Sequence, residues 1–297
     1  IFSRNEFKQI SMESEIPDDR LRFLIGDVRD QKRLRRAIED VDIVFHAAAL
    51  KHVPKIEYNP FEAIKTNVEG SQNVIDACLE NDIERAVCIG TDKAVAPLNT
   101  YGTTKLLMER LFVSANYYKG NHKTNFMCVR YGNVLASRGS IVPRFIQQIE
   151  NNQNVTVTDP SMTRFNITMN EALDLILRAL ENGVGGEIFI PKLKAYKVGD
   201  MKEAIIQLMN KKTETDIIQV RPGEKYHESL ISEHEIRNTF ETKTDYIIYE
   251  SDYLQCSAKN TDLKQSKLTD RYSSDNVELL SIDELKNILI EENIIQK

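Results

Sequence analysis

The sequence predicts an α/β fold in which helices cover a parallel β-sheet. Short apolar runs alternate with longer segments of helical period from the start of the chain to about Asn133. This alternation is typical of βαβ units, which place successive strands side by side and parallel. The chain of 297 residues is long enough for a sizeable core, and 41% hydrophobic with 28% charged residues is a globular composition.

The individual elements follow from local patterns. Runs rich in Val, Ile and Phe that end in small or polar residues, such as Gly26–Asp27 and Thr91–Asp92, indicate strands. Segments with an apolar residue every three or four positions indicate amphipathic helices. The expected order is strand 21–27, helix 30–40, strand 41–49, helix 59–81, strand 85–92, a helix containing Tyr101, and strand 126–134.

Beyond Asn133 the pattern loosens and predicts a second, smaller α/β region. It contains a helix at 143–152, a strand at 155–159 and a helix at 170–183. We predict a first domain of residues 1–135 with about 164–192, and a second region of residues 136–163 and 193–297. The tail from about Thr242 to Ser274 has few apolar residues, so we expect extended chain with little core of its own.

Bulk properties exclude several classes of protein. The net charge of -6 argues against a general nucleic-acid or membrane-surface binder, which would carry a basic excess. No apolar run approaches the ~20 residues of a membrane span. The cysteines lack C-x-x-C spacing, so we expect neither a metal site nor a disulfide framework, and a reducing cytoplasm fits best. They are Cys78, Cys88, Cys128 and Cys256.

The first residues indicate a dinucleotide site, because ligands of such sheets bind beyond the carboxyl ends of the strands. The Gly-rich turn that cradles a pyrophosphate is not in the printed chain, which starts at Ile1 rather than Met. We expect that turn upstream, and expect the chain without it to bind the cofactor poorly. The letters IFSR read as the end of the second strand, where Arg4, after Ser3, would accept the 2′-phosphate of NADP.

Two further strand ends fit the same site. Asp27 could accept a hydrogen bond from an adenine amino group, and the small side chains of Ala47, Ala48 and Ala49 would let the backbone pass close to a cofactor. Each also has a structural interpretation, since Asp27 could cap a helix and the alanines could end a tightly packed strand.

The stretch GTDKAVAPLNTYGTTK carries the chemistry. Tyr101 and Lys105 are four residues apart and share a helix face, so the ammonium would lower the pKa of the phenol from about 10. Such a tyrosine can take the proton of a substrate hydroxyl while a nicotinamide takes the hydride, and Thr91 can bond the same oxygen. A lone Tyr-x-x-x-Lys is a weak motif, but its place after a strand that ends at Thr91 strengthens it.

At this point the chain resembles the extended short-chain dehydrogenase/reductases, and within them the soluble, C5-inverting UDP-N-acetylglucosamine 4,6-dehydratases. The resemblance extends from Ile1 to about Leu230, and more faintly to YSSDN at 272–276. Its segments are IFSRNEFKQ, GDVRD, HAAALKHVP, NP-EAIKTNV, TDKA-P-N-YG-TK, RYGNV-ASRGS-VP-F, MTRF-IT, GGEIF-PK and RPGEK-HE.

The resemblance implies a Rossmann-like, NADP-binding domain and a division of catalytic roles. Thr91, Tyr101 and Lys105 would form the oxidoreductive triad. Asp92 would protonate the departing 6-hydroxyl, which requires a raised pKa. Lys93 would remove the carbon 5 proton, provided that burial and nearby cations keep it neutral often enough. Retaining relatives carry Asp-Glu here, so the Asp-Lys pair favours inversion; the structural alternative is a solvated loop.

The matching segments also imply contact residues, although any of the arginines could be a surface residue and His227 is read as structural. The implied substrate is UDP-N-acetylglucosamine, whose diphosphate suits the planar fork of arginine. Expected substrate-binding residues are Lys51, Asn133, Arg138, Arg164, Arg221 and Glu224. Expected cofactor-binding residues are Ser3, Arg4, Asp27, Val28, Ala47, Ala48, Ala49, Tyr101, Lys105, Tyr131 and Val134.

Two other functions stay open. A UDP-sugar 4-epimerase needs the same triad but no elimination pair, and a non-catalytic sugar-nucleotide or dinucleotide sensor needs no triad. Relatives with a membrane-spanning N-terminal region usually replace the tyrosine, so Tyr101 favours the soluble, cytoplasmic type. We expect a homo-oligomer, no nucleic-acid partner, and an early step of bacterial surface-sugar synthesis of the pseudaminic acid, capsule or O-antigen kind.

Overall fold

A computed structural model describes residues 1–249 and 263–295 of the chain. The strands are β1 (Phe2–Ser3), β2 (Leu24–Ile25), β3 (Ile43–His46), β4 (Arg85–Ile89), β5 (Asn125–Val129), β6 (Val155–Val157), β7 (Thr163–Phe165), β8 (Glu187–Pro191), β9 (Ala195–Lys197), β10 (Thr215–Ile217), β11 (Ser229–Ile231), β12 (Thr239–Glu241), β13 (Asp245–Tyr249), β14 (Lys264–Gln265) and β15 (Tyr272–Ser273). The helices are α1 (Glu6–Glu15), α2 (Gln31–Ala37), α3 (Val53–Tyr58), α4 (Pro60–Ala63), α5 (Gly70–Glu80), α6 (Thr100–Tyr118), α7 (Ile141–Glu150), α8 (Met169–Asn182), α9 (Val198–Met209) and α10 (Ile282–Glu291).

The main sheet confirms the predicted α/β class. Its seven strands run in the order β14-β12-β13-β8-β5-β4-β3. Strands β3, β4, β5 and β8 are parallel neighbours, as the alternating pattern predicts. Helices α5, α6 and α8 pack on this parallel centre, and β4 and β5 are buried almost throughout because both faces are covered.

The tail prediction is wrong for part of its span. Strand β13 pairs antiparallel with β8, and its residues Ile247, Ile248 and Tyr249 are buried in the main core. Strands β12 and β14 continue the sheet outward. Although the tail is polar on average, the short run YIIY alone provides enough apolar surface to cover the edge of β8. Residues 250–262, including Cys256, lie outside the described residues.

Two small structures flank the main sheet. Strands β1 and β2 pair parallel with each other in a sheet of their own, and β3 lies at the end of the seven-stranded sheet. On the other side, α7, α9 and α10 enclose a second apolar cluster that includes Phe145, Met201 and Leu285. The predicted division into two regions requires two separate apolar cores. The boundaries between the regions stay a prediction.

A buried ionic network joins the main sheet to the C-terminal half. Arg130, at the end of β5, is fully buried and bonds both carboxylate oxygens of Glu109 on α6. The same guanidinium donates to Glu235 at 2.9 Å and to the carbonyl of Leu230 at 2.8 Å. Because a buried charge is costly unless it is paired and hydrogen bonded, these contacts fix helix α6 against the segment after β11.

Candidate active site

The predicted catalytic residues lie where β4 ends and α6 begins. At Gly90 the chain passes so close to β5 that an added Cβ would lie 2.4 Å from the carbonyl oxygen of Val129. Thr91 follows and opens a single 3₁₀ turn, Asp92–Ala94, and Asn99 then caps α6 by accepting from the amide of Gly102 at 2.8 Å. The strand end and the helix start therefore bring Thr91, Asp92 and Tyr101 into one buried corner.

Asp92 and Lys93 are paired with each other and point into the site. Thr91 Oγ1 donates to Asp92 Oδ1 at 2.9 Å, and Lys93 Nζ donates to the same oxygen at 3.0 Å. Lys93 Nζ also donates to Asn133 Oδ1 at 2.9 Å. The side chain of Asp92 is 1% exposed and that of Lys93 is 22% exposed. The solvated-loop alternative is therefore excluded for this pair.

A second carboxylate, Glu228, completes this cluster and was missed at the level of sequence. Its Oε1 lies 3.4 Å from Lys93 Nζ, and its side chain is 4% exposed. Lys225 Nζ lies 4.0 Å from the other oxygen and donates to the carbonyl of Val95. Glu228 does lie in a segment on which the family resemblance rests, as the last residue of RPGEKYHE. Its spacing along the chain, however, did not indicate a contact with Lys93.

The protonation states of this pair follow from burial and from Glu228. Burial raises the pKa of Asp92, and the nearby Glu228 adds to this effect despite the Lys93 ammonium. Burial alone would lower the pKa of Lys93, but the carboxylates of Asp92 and Glu228 raise it well above the usual lysine value. The raised pKa of Asp92 agrees with our expectation. The expectation that cations keep Lys93 neutral is wrong, because its neighbours are mainly anionic.

The residues of the oxidoreductive triad also agree only in part with the expectation. The hydroxyl of Tyr101 lies within hydrogen-bonding reach of Thr91, and burial raises its pKa. Lys105 Nζ instead donates to the carbonyl of Ile89 at 2.6 Å, and burial lowers its pKa. The expected lowering of the Tyr101 pKa by Lys105 is therefore absent here, since burial outweighs the nearby cations and the ammonium is bound to the strand end.

The residues expected at the cofactor lie along three strand ends. Ser3 ends β1, and Arg4 lies 3.6 Å from Asp27, which follows β2. Arg29 also pairs with Asp27 at 2.7 Å and holds the pKa of that carboxyl below its usual value. Val28 is buried, with its carbonyl accepting from Asn73 at 2.9 Å.

The alanine run and two residues after β5 complete this surface. Ala47 is exposed, and Ala48 and Ala49 are half-buried after β3. The carbonyl of Tyr131 accepts from the amide of Asp92 at 3.1 Å, and burial raises the pKa of its phenol to about 12. Val134 pairs through a single bridge with Ile167. A run of small side chains that are exposed or half-buried, together with a half-exposed Arg4, fits a dinucleotide lying across these ends.

Asn67 is a second residue that the sequence reasoning did not identify. It is fully buried in a π-helical stretch, Ile64–Glu69, that interrupts the predicted helix 59–81. Its side chain bonds both the amide and the carbonyl of Leu50, at 2.7 and 3.0 Å, and donates to Thr104 Oγ1 at 3.0 Å. Asn67 therefore ties the loop after the alanine run to the helix that carries Tyr101.

The expected substrate residues fall into two groups. Lys51 Nζ donates to the carbonyl of Arg138 at 3.1 Å on the surface, and Asn133 accepts from Lys93. Arg164 and Arg221 meet at Glu224: Arg164 Nη2 lies 3.7 Å from Oε1, and the amide of Arg221 donates to Oε2 at 3.2 Å. His227 bonds Thr163 Oγ1 at 2.8 Å. The loop 221–228 therefore connects the arginines to the Lys93 cluster.

Comparison with known proteins identifies the family of the chain. A family model described as polysaccharide biosynthesis protein matches residues 1–250. The chain belongs to this polysaccharide biosynthesis family. Within residues 1–249 and 263–295, no helix is both long and apolar enough to cross a membrane.

Similar members of the family carry different names. An uncharacterized membrane protein of Methanocaldococcus jannaschii is 47% identical over 294 residues, covering 97% of this chain and 86% of its own length. A UDP-N-acetylglucosamine 4,6-dehydratase (inverting) of Campylobacter jejuni is 44% identical over 286 residues, covering 93% and 84%. A UDP-glucose 4-epimerase of Rickettsia rickettsii is 38% identical over 307 residues, covering 100% and 88%.

Solved structures confirm the fold that the family shares. Pen from Bacillus thuringiensis superposes with a TM-score of 0.92 at 40% identity, covering 99% of this chain and 89% of that one. DesIV, a dTDP-glucose 4,6-dehydratase from Streptomyces venezuelae solved with NAD bound, gives 0.68 at 18% identity, covering 73% of each chain. The second likeness, at this identity, shows the fold alone.

Proposed function

We propose that this protein is an NADP-dependent UDP-N-acetylglucosamine 4,6-dehydratase that inverts carbon 5. The observation that carries the proposal is the buried Asp92–Lys93 pair, 3.0 Å apart, beside Thr91 and Tyr101. Oxidation of a hydroxyl requires only the triad, whereas elimination of water requires an additional acid and base. The names of similar inverting dehydratases support the same reaction.

Each residue has one task in this scheme. Tyr101, once its phenol has lost its own proton, would take the proton of the substrate 4-hydroxyl, with Thr91 bonded to the same oxygen, while the carbon 4 hydride leaves to the cofactor. The resulting ketone makes the carbon 5 hydrogen acidic. Asp92, whose burial raises its pKa, gives its proton to the departing 6-hydroxyl. Lys93 removes the carbon 5 hydrogen, which requires that its ammonium first lose a proton.

The cofactor would lie across the ends of β1, β2 and β3. A bound nicotinamide would take the hydride from carbon 4 and later return it to carbon 6. Arg4, half-exposed beside Asp27, would bind the 2′-phosphate that distinguishes NADP from NAD. Lys51, Asn133 and Arg138 would contact the sugar.

A UDP-sugar 4-epimerase is the second candidate, because similar proteins in Rickettsia carry that name at 38–39% identity. Such an enzyme returns the hydride to carbon 4 and has no use for a buried acid next to a lysine. A complete triad in turn argues against a sensor. The surface-sugar pathway and a cytoplasmic location remain predictions of the sequence.

The test is product analysis with the purified protein. UDP-N-acetylglucosamine and NADP in deuterated water should give a 4-keto-6-deoxy sugar with deuterium at carbon 5 and the L-arabino configuration by proton NMR. NADP should not be consumed. UDP-N-acetylgalactosamine as the sole product would establish the epimerase instead, and retention at carbon 5 would refute the inverting assignment.

A further inference from the structure

The segment YSSDN at 272–276 belongs to the fainter part of the family resemblance, and the proposed reaction gives it no task. Its first two residues form β15, which pairs antiparallel with β11. Just beyond these paired residues, Ser274 contacts Glu228, the carboxylate beside Lys93. The segment therefore reaches the catalytic cluster from a position 46 residues further along the chain.

Ser274 holds the backbone of Glu228 on both sides. The amide of Ser274 donates to the carbonyl of Glu228 at 2.8 Å, as in a regular antiparallel ladder. The amide of Glu228, however, donates to the hydroxyl oxygen of Ser274 at 2.9 Å, where a ladder would use a backbone carbonyl. This second bond requires a side-chain oxygen at position 274, and Ser274 is fully buried, so solvent is not available to replace it.

Contacts with β7 fix the hydroxyl of Ser274 in turn. Its Oγ lies 2.7 Å from Thr163 Oγ1 and donates to the carbonyl of Thr163 at 3.2 Å. Thr163 Oγ1 also bonds His227 Nδ1 at 2.8 Å, so the residue before Glu228 is tied to the same strand. The backbone at Glu228 is therefore held by two segments that are distant from it in the chain.

The carboxylate of Glu228 is held only weakly by its own contacts. Its Oε1 lies 3.4 Å from Lys93 Nζ. Its Oε2 lies 4.0 Å from Lys225 Nζ and has no hydrogen-bond partner within residues 1–249 and 263–295. Both distances exceed the roughly 2.7–2.9 Å of a charge-assisted hydrogen bond. The place of this carboxylate beside Lys93 therefore depends on where the backbone of Glu228 is held.

We propose that Ser274 is a positioning residue that holds the Glu228 carboxylate beside Lys93. The inference rests on the proposed function, in which Lys93 is the base that removes the carbon 5 hydrogen. A carboxylate at this distance favours the ammonium form of Lys93, so the contact with Ser274 sets how much neutral amine is present at a given pH. Other titratable groups also face Lys93 or Glu228 from the neighbouring elements, and all of them are common to the variants below. They are Asp92, Tyr101, Arg164, Tyr196 and Lys225.

Acetylation of Lys93 by acetic anhydride in mildly alkaline buffer tests this role without substrate or cofactor, because only the neutral amine reacts. Mass spectrometry of the Lys93 peptide gives the rate. Glu228→Gln should raise it by about 10-fold or more, the typical effect of removing an opposite charge at this distance. Ser274→Ala should give a smaller rise, and the double variant should match Glu228→Gln, because Ser274 acts through Glu228. Ser273→Ala is the control and should match wild type, since this buried hydroxyl bonds Asp275 instead.

The double variant separates positioning from a merely structural role. If Ser274→Ala only loosens the site and exposes Lys93, its effect multiplies with that of Glu228→Gln, and the proposal fails. A wild-type rate in Ser274→Ala would also overturn it. Thr163→Val, which removes the hydroxyl that contacts Ser274, should raise the rate as well; if Ser274→Ala does not fold, an unchanged rate in Thr163→Val overturns the proposal. Since labelling needs no turnover, the expected rates in a protein without dehydratase activity would refute the proposed function and still support the positioning role.

Discussion

Glu228 Oε1 lies 3.4 Å from Lys93 Nζ, although the two residues belong to segments far apart in the chain. With Asp92 at 3.0 Å on the other side, Lys93 is held between two carboxylates. An ammonium is the stable form of an amine in such surroundings. The residue proposed to remove a proton therefore rests in its protonated form, and Glu228 controls how readily it becomes a base.

This relationship predicts a shift in pH dependence for Glu228→Gln. The carboxylates raise the pKa of Lys93, so the neutral amine becomes available only as pH rises toward that value. Removing one carboxylate lowers the pKa, and the elimination rate should then rise at lower pH than in wild type. Glu233→Gln, at an exposed neighbouring position, should keep the wild-type profile. A profile in Glu228→Gln that shifts to higher pH, or does not shift, would contradict this role.

Lys93→Met should separate oxidation from elimination. Tyr101 and Thr91 remain, so mixing the cofactor-loaded protein with substrate should still give a rise in reduced-nicotinamide absorbance. That signal should then decay about 10²- to 10⁴-fold more slowly, the typical cost of losing a general base. Tyr101→Phe should show no rise at all. If stopped-flow traces of both variants lack the rise, Lys93 belongs to oxidation or to the support of the site.

Gly102→Ala should impair catalysis through geometry alone. A Cβ at Gly102 would lie 2.2 Å from the carbonyl oxygen of Lys93 and 2.9 Å from Pro97 Cβ, so α6 has to move away from the catalytic turn. Misplacement of Tyr101 by about 1 Å can cost on the order of 10²-fold in rate. Steady-state kcat should therefore fall, while Thr103→Ala on the exposed side of the same turn should not change it. Equal rates for the two variants would show that the helix contact is not critical.

Glu109→Leu should destabilise the protein much more than loss of a surface ion pair. The substitution leaves the fully buried Arg130 with Glu235 as its remaining carboxylate, and breaking a buried pair typically costs about 3 to 5 kcal/mol. Glu80→Leu, which removes the exposed partner of Arg35, should cost less than about 1 kcal/mol. Urea titration of both variants and of wild type gives the free energies of unfolding for this comparison. Similar small losses would mean that the network contributes little to stability.

The sequence by itself determined the α/β class and the approximate order of the main elements, and it supplied the candidate residues of the site. Period-2 and period-3.6 patterns fix strands and helices locally, and the spacing of Tyr101 and Lys105 needs only one helix to place them together. The expectation of a tail with little core failed in part because average composition hides the five-residue strand β13, Asp245–Tyr249, which pairs with β8.

Only the tertiary structure decided the charges that act on the catalytic groups. The pKa of Lys93 depends on Glu228, and their contact joins two segments that local patterns treat as independent. Electrostatic energy depends on distance in space and on burial, and neither quantity can be read from spacing along the chain. The sequence therefore named the reacting groups, and the fold set their protonation and their partners.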